Sequence, residues 1–174
     1  MGIYTHQNYS YNITPPPPSD TQVALNVSPH YLYFLGFNIA VEISTASCFR
    51  KPPKNMPLSS IVVMAYFDTG ASVSSIDINL AKYLKLDSTG QSQSRTASGS
   101  EIVPNFVIDI SFPNTTLSPF HNLRISSCKL GFDLAKSIKN QNDPQNFGLL
   151  IGRDIMSQWN IVWNGPTSTV IIND

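Results

Sequence analysis

The apolar run Ile61-Val62-Val63-Met64-Ala65 continues through Tyr66-Phe67 into Asp68-Thr69-Gly70-Ala71-Ser72, so a buried strand stops at a carboxylate. A strand tip gives Asp68 a rigid mount, Thr69 adds a hydroxyl and an amide, and Gly70 permits the bend that turns its N–H toward the acid. An Asp held in this way can activate water.

The pattern around this strand is one of short β-branched and aromatic runs between Pro-, Gly- and Asn-rich breaks. Val23, Leu25 and Val27 alternate, and Tyr31 to Ile43 reads as one or two strands. Lys51-Pro52-Pro53-Lys54-Asn55-Met56-Pro57 breaks the sheet before the strand Ile61 to Phe67. Ile76, Leu80, Ala81, Tyr83 and Leu84 recur at near-helical spacing, which places a short helix within Ser75 to Leu84. The Ser-, Thr- and Gly-rich stretch Ser92 to Ser100, followed by a strand over Ile102 to Ile110, reads as a hairpin with Ala97-Ser98-Gly99-Ser100 at its tip. Leu117 to Leu130 gives a further strand or pair, and Lys136 to Asn146 reads as a polar connection. Leu149 to Ile151 is a second buried strand, and Arg153 to Trp159 can form a short helix. Ile161 to Trp163 and Thr169 to Ile172 flank the turn signal Asn164-Gly165-Pro166. Many short strands with one or two short helices predict an all-β fold.

With 174 residues, 41% of them hydrophobic and 13% charged, the chain is long enough for one domain with its own core. The expected organisation is a Pro-rich tail over 1–20, N-terminal strands and a Pro-rich connection over 21–58 that could be a removable pro-segment, and a core over 59–174. Eleven basic residues balance eleven acidic ones, so the chain lacks the electrostatic footprint for nucleic acid and the polybasic patch for anionic lipid. Neither nucleic acid nor a membrane is an expected partner. Cys48 and Cys128 are too few for a disulfide framework and lack metal-ligand spacing, so they read as two buried or half-buried thiols and no metal is expected. The chain opens with no signal-peptide pattern, and its longest apolar stretch falls short of the ~20 residues of a spanning helix. The expected location is the cytoplasm, or one the sequence does not name. His6, His30 and His121 sit in unrelated contexts and Gly-x-Ser-x-Gly does not occur, which leaves no Ser-His-Asp constellation.

Asp68-Thr69-Gly70-Ala71-Ser72 resembles the active-site signature of aspartic proteases, and Leu149-Leu150-Ile151-Gly152-Arg153-Asp154-Ile155-Met156 resembles the apolar-Gly-Arg-Asn/Asp segment of the retroviral-type enzymes, the retropepsins. The resemblance covers Ser59 to Asp174 and implies an all-β, retropepsin-like acid protease barrel with no cofactor. It makes Asp68, Thr69 and Gly70 the catalytic triplet and Gly152, Arg153 and Asp154 its structural support, with Asp154 satisfying backbone donors at a helix start. In the family Arg153 pairs with an Asp directly after Asp-Thr-Gly-Ala; Ser72 stands there instead. The resemblance also implies a hairpin flap over the substrate, whose tip would be Ala97, Ser98, Gly99 and Ser100. Together with Ala71, Ser72, Val73 and Ile151, these are the expected substrate-binding residues, favouring apolar side chains beside the scissile bond.

Hydrolysing an amide without metal or nucleophile takes one group to accept a proton from water and another to give one to the carbonyl, which a single carboxylate cannot do at once. Asp-Thr/Ser-Gly occurs once; Asp87-Ser88-Thr89-Gly90 carries an extra residue and follows no buried strand. The second carboxylate is therefore expected from another copy of the chain, a homodimer binding an extended peptide between two Asp68 residues, as the resemblance also implies. Terminal strands, Thr169 to Asp174 among them, are the expected interface. The alternative is a non-catalytic peptide-binding or assembly module with the same fold.

Overall fold

The computed structural model describes residues 13–14, 22–26, 36–46, 48, 60–96, 99–140 and 146–174. Its strands are β1 (Ile13–Thr14), β2 (Gln22–Asn26), β3 (Asn38–Thr45), β4 (Ser60–Phe67), β5 (Ser75–Asp77), β6 (Gly90–Thr96), β7 (Gly99–Ser111), β8 (Phe120–Cys128), β9 (Phe147–Ile151), β10 (Asn160–Asn164) and β11 (Thr169–Asn173). The helices are α1 (Ile78–Tyr83), α2 (Leu134–Lys139) and α3 (Arg153–Met156).

Six strands in the order β3-β4-β9-β5-β8-β7 close into a barrel through a β3–β7 pairing, and β6 folds back on β7 outside it. Closure removes the free edges that short strands would otherwise expose. Inward-facing Ile43, Val63, Ala65, Ile76, Ile108, Ile125, Leu149 and Ile151 fill the barrel and are all buried. At one end Trp159 packs against Phe67, Phe112 and Phe120, with ring centroids 6.2, 5.3 and 5.8 Å away.

The all-β reading from sequence holds. Ser75 to Leu84 divides into a strand, β5, and a helix, α1, because Asp77 caps the helix by accepting the Asn79 N–H at 2.7 Å. The polar stretch from Lys136 is partly helical: the Asp133 side chain accepts the Ala135 and Lys136 N–H groups and starts α2, a six-residue helix too short for its apolar spacing to signal. Residues 141–145 of that stretch lie outside the described residues. The barrel also reaches further toward the N-terminus than the expected core boundary at 59, since β3 is one of its six strands.

A four-stranded sheet, β1-β2-β11-β10, forms beside the barrel. Thr169 to Asp174, expected from sequence at an interface with a second copy, finds neighbours within its own chain. β11 pairs with β10 on one side and β2 on the other, and Val170 and Ile172 are fully buried.

Candidate active site

The two motifs meet because their strands are parallel neighbours. β4 pairs with β9 in the register Phe67↔Ile151, so both strands release their chains at the same end of the barrel. The Asp68 N–H donates to the Ile151 carbonyl at 3.0 Å, and the Arg153 N–H donates to the Ala71 carbonyl at 3.0 Å. Residues far apart in sequence thus form one two-stranded loop junction.

Three groups hold that junction. The Gly70 N–H donates to Asp68 Oδ1 at 2.8 Å, and the Ala71 N–H closes a turn on the Asp68 carbonyl at 3.1 Å. Arg153 reaches back across the loop: Nη1 donates to the Thr69 carbonyl at 2.7 Å and Nη2 to Ser72 Oγ at 2.9 Å. Nη1 also lies 3.5 Å from the Gly70 carbonyl, so all of these partners belong to the Asp68 loop. A planar guanidinium with several fixed donors suits such a fork.

Asp154 completes the clamp from inside. Its carboxylate accepts the Ser74 N–H at 2.9 Å, the Ser74 hydroxyl at 2.7 Å and the Ile155 N–H at 2.9 Å. Ser74 Oγ in turn accepts the Gly152 N–H at 2.9 Å. Donors outside α3 thus take most of the Asp154 carboxylate, while Gly152, the residue before the helix, provides no side-chain cap. Gly152 is needed for space: a Cβ there would lie 2.6 Å from the Val73 carbonyl carbon.

Asp68 faces a cleft of about 680 Å³. Gly70, Ala71, Ser72 and Val73 line it from the loop, and Val73 is 55% exposed. Ser92, Gln93, Ser94 and Arg95 line it from β6, one arm of the hairpin β6–β7. That hairpin stands where the flap was expected, and its last pair is Thr96↔Gly99, with Gly99 at φ +134°. Of the expected flap-tip residues, Gly99 and Ser100 are exposed at the start of β7, whereas Ala97 and Ser98 lie outside the described residues.

One expected lining residue is misplaced by a single position. Ile151 is fully buried in the barrel, and its neighbour Leu150 faces the cleft. Strand alternation makes this unavoidable, because the face that fills the core cannot also line the site. The sequence reading also missed Ser75, Ser126 and Cys128, which line the cleft from β5 and β8. Their signal is the same alternation: Ile76, Ile125 and Ser127 are buried between them.

The Cys128 thiol is pushed up from its ordinary value of 9.0 to about 12, first by burial, then by the negative charge of Asp77. The Ser75 hydroxyl opposes this weakly and Glu101 adds to it. It is a neutral S–H near neutral pH. Among the described residues no group of three His, Cys, Asp or Glu side chains could hold a metal ion, and no helix is long and apolar enough to cross a membrane.

Among solved structures, a retropepsin-like aspartic protease from Rickettsia conorii is similar over 95% of both chains, with 15% identity and a TM-score of 0.47. A search of curated proteins returns no match. The family model described as aspartyl protease matches residues 59–154, a span running from the start of β4 through the Asp68 loop to Asp154, and the chain belongs to that family.

Proposed function

We propose that this protein is an aspartic endopeptidase working as a homodimer, with Asp68 and its twin on the two-fold axis and an extended peptide bound between them and the two hairpins. The observation that carries this reading is Asp68 at the tip of β4, its Oδ1 fixed by the Gly70 N–H at 2.8 Å and its side chain facing an open cleft. Thr69 and Gly70 complete the catalytic loop, and both are exposed on the surface of the single chain.

The chemistry follows from two carboxylates held close enough to share one proton. The ionised one takes a proton from a water molecule as the water oxygen attacks the peptide carbonyl. The protonated one gives its proton to the carbonyl oxygen, producing a neutral tetrahedral diol. When the C–N bond breaks, the nitrogen leaves with a proton and the diol becomes an acid. Residues flanking the cleft would hold the substrate backbone as an added strand, with Ala71, Ser72 and Val73 below and the Gly99–Ser100 end of the hairpin above.

The test is a peptide-library cleavage assay with wild type and Asp68→Asn. Asparagine keeps the shape of the carboxylate but cannot accept the proton, so hydrolysis should vanish while folding and association persist. Cleavage by Asp68→Asn at near wild-type rate would remove the assignment. Binding without cleavage by wild type would favour a non-catalytic peptide-binding module instead.

A further inference from the structure

Three adjacent strands present one row of side chains to the cleft. In β9, β5 and β8 the paired residues Leu150↔Ser75 and Ser75↔Ser126 share a face, and Cys128 lies two residues on from Ser126. All four line the same cavity as Asp68. Only Leu150 is apolar; the wall beside it consists of two hydroxyls and a thiol.

The hydroxyls are already organised. Ser75 Oγ and Ser126 Oγ lie 3.0 Å apart, so one donates to the other. Each hydroxyl has one donor and two acceptor sites; with one O–H spent between the serines and the Ser75 hydroxyl also engaging the Cys128 thiol, the pair keeps lone pairs to receive a donor. Cys128 Sγ lies 3.7 Å from the Ile76 carbonyl and can donate its proton there. The opposite wall continues the theme, since Ser92, on β6, donates to Asn105 Oδ1 at 2.8 Å, and Asn105 is paired with Ser126. An aliphatic side chain placed on this row would remove water from the hydroxyl pair and offer it nothing in return. That cost is what lets a site discriminate against groups lacking a hydrogen-bonding atom.

Building on the endopeptidase reading, we propose that the Ser75–Ser126–Cys128 row is a specificity subsite for a neutral hydrogen-bonding side chain, an amide or hydroxyl such as Gln, Asn, Ser or Thr. Leu150 packs against the aliphatic part of that side chain, and the serine pair receives its polar end. The expectation of uniformly apolar pockets is thereby replaced at one position beside the scissile bond.

The experiment uses two sets of peptides that share one backbone sequence and differ at a single position, Gln against Leu, with the position moved through the residues flanking the cleaved bond. Wild type should prefer Gln over Leu at one position by on the order of tenfold in kcat/KM. Ser126→Val should abolish or reverse that preference, whereas Ser126→Thr, which keeps the hydroxyl, should retain it. The same peptides titrated onto Asp68→Asn by fluorescence anisotropy read the subsite without hydrolysis. If no peptide is cut yet Asp68→Asn binds the Gln peptide more tightly, the subsite stands and the catalytic reading fails. A preference for Leu at every position, a Gln preference untouched by Ser126→Val, or no binding of any peptide overturns the subsite. So does a preference for Glu that Arg95→Ala removes, since selectivity would then lie in the hairpin arm.

Discussion

At the scale of single residues, the site depends on how closely two loops can approach. Gly152 passes within reach of the Val73 and Ser74 backbone, and a Cβ would sit 2.7 Å from the Val73 carbonyl oxygen and 2.9 Å from the Ser74 nitrogen. Backbone atoms cannot rotate aside as a flexible side chain would. Gly152→Ala should therefore cost roughly 1–3 kcal/mol, as other overpacked sites do, and should separate the Asp154–Ser74 hydrogen bonds from the Asp68 loop. Urea denaturation would show a lower midpoint at unchanged slope; an unshifted midpoint would mean the loops are not tightly apposed. Cys128 behaves differently. Its thiol keeps its proton in the fold up to about pH 12 but releases it near 9.0 when unfolded. Between those values the unfolded chain binds fewer protons than the native one, so stability falls as pH rises through the window. Cys128→Ala should flatten that alkaline loss. At pH 8 the native thiol should react slowly with iodoacetamide, while the exposed Cys48 reacts readily, as peptide mapping of the labelled protein would reveal. Fast labelling of Cys128 would contradict the stated burial and charge effects.

At the scale of elements, the legible parts were those with a one-dimensional signature. The β4 run into Asp68 and the β9 run into Gly152 were readable because a continuous apolar stretch ending in a polar loop marks a strand buried on both faces. Their parallel adjacency was not readable from the stretches themselves, since pairing is decided by how the barrel closes. The parity of β9 was equally hidden: Leu149, Leu150 and Ile151 are all apolar, and hydropathy alone cannot say which one faces the cleft. The serines of β5 and β8 carried only their alternation with the buried Ile76, Ile125 and Ser127, and that pattern is the same for a cleft-facing strand as for a solvent-facing one. β3 was readable as a strand, yet its membership of the core follows only from its pairings with β4 and β7. That membership has a consequence for truncation. Removing residues 1–12 takes away no described strand, and the remaining chain should fold with near wild-type stability. Removing residues 1–45 deletes β3, leaves β4 and β7 with open edges, and uncovers Val63 and Ile110 from Val41 and Ile43. Circular dichroism and thermal melting should show the shorter deletion cooperative and the longer one aggregated or without a transition. A cooperative melt for the longer deletion would mean the barrel does not need its sixth strand.

At the scale of the whole molecule, one chain supplies one Asp68, and the proposed reaction uses two. The sheet β1-β2-β11-β10 limits how the second chain can be added. β11 has both edges taken by its own chain, whereas β10 lies at the sheet's border with Val162 and Trp163 47% and 48% exposed. Trp163 also stands edge-on to Phe37, with centroids 6.4 Å apart, so it is held in place rather than free to swing. A large aromatic held half-exposed on a border strand is the type of group that anchors interfaces. If the dimer forms through β10, the population of paired chains sets the rate, and activity per chain should fall as enzyme is diluted below the dissociation constant. Trp163→Glu would place a charge where the contact is made. It should move that fall to higher enzyme concentration by tenfold or more, consistent with loss of about 1.4 kcal/mol or more of association energy, while leaving the far-ultraviolet spectrum unchanged. Sedimentation velocity across the same dilution series separates the possible outcomes. Monomers that retain full activity per chain would refute the shared site. Dimers that persist in Trp163→Glu with wild-type affinity would place the interface on another face and leave the two-carboxylate mechanism standing.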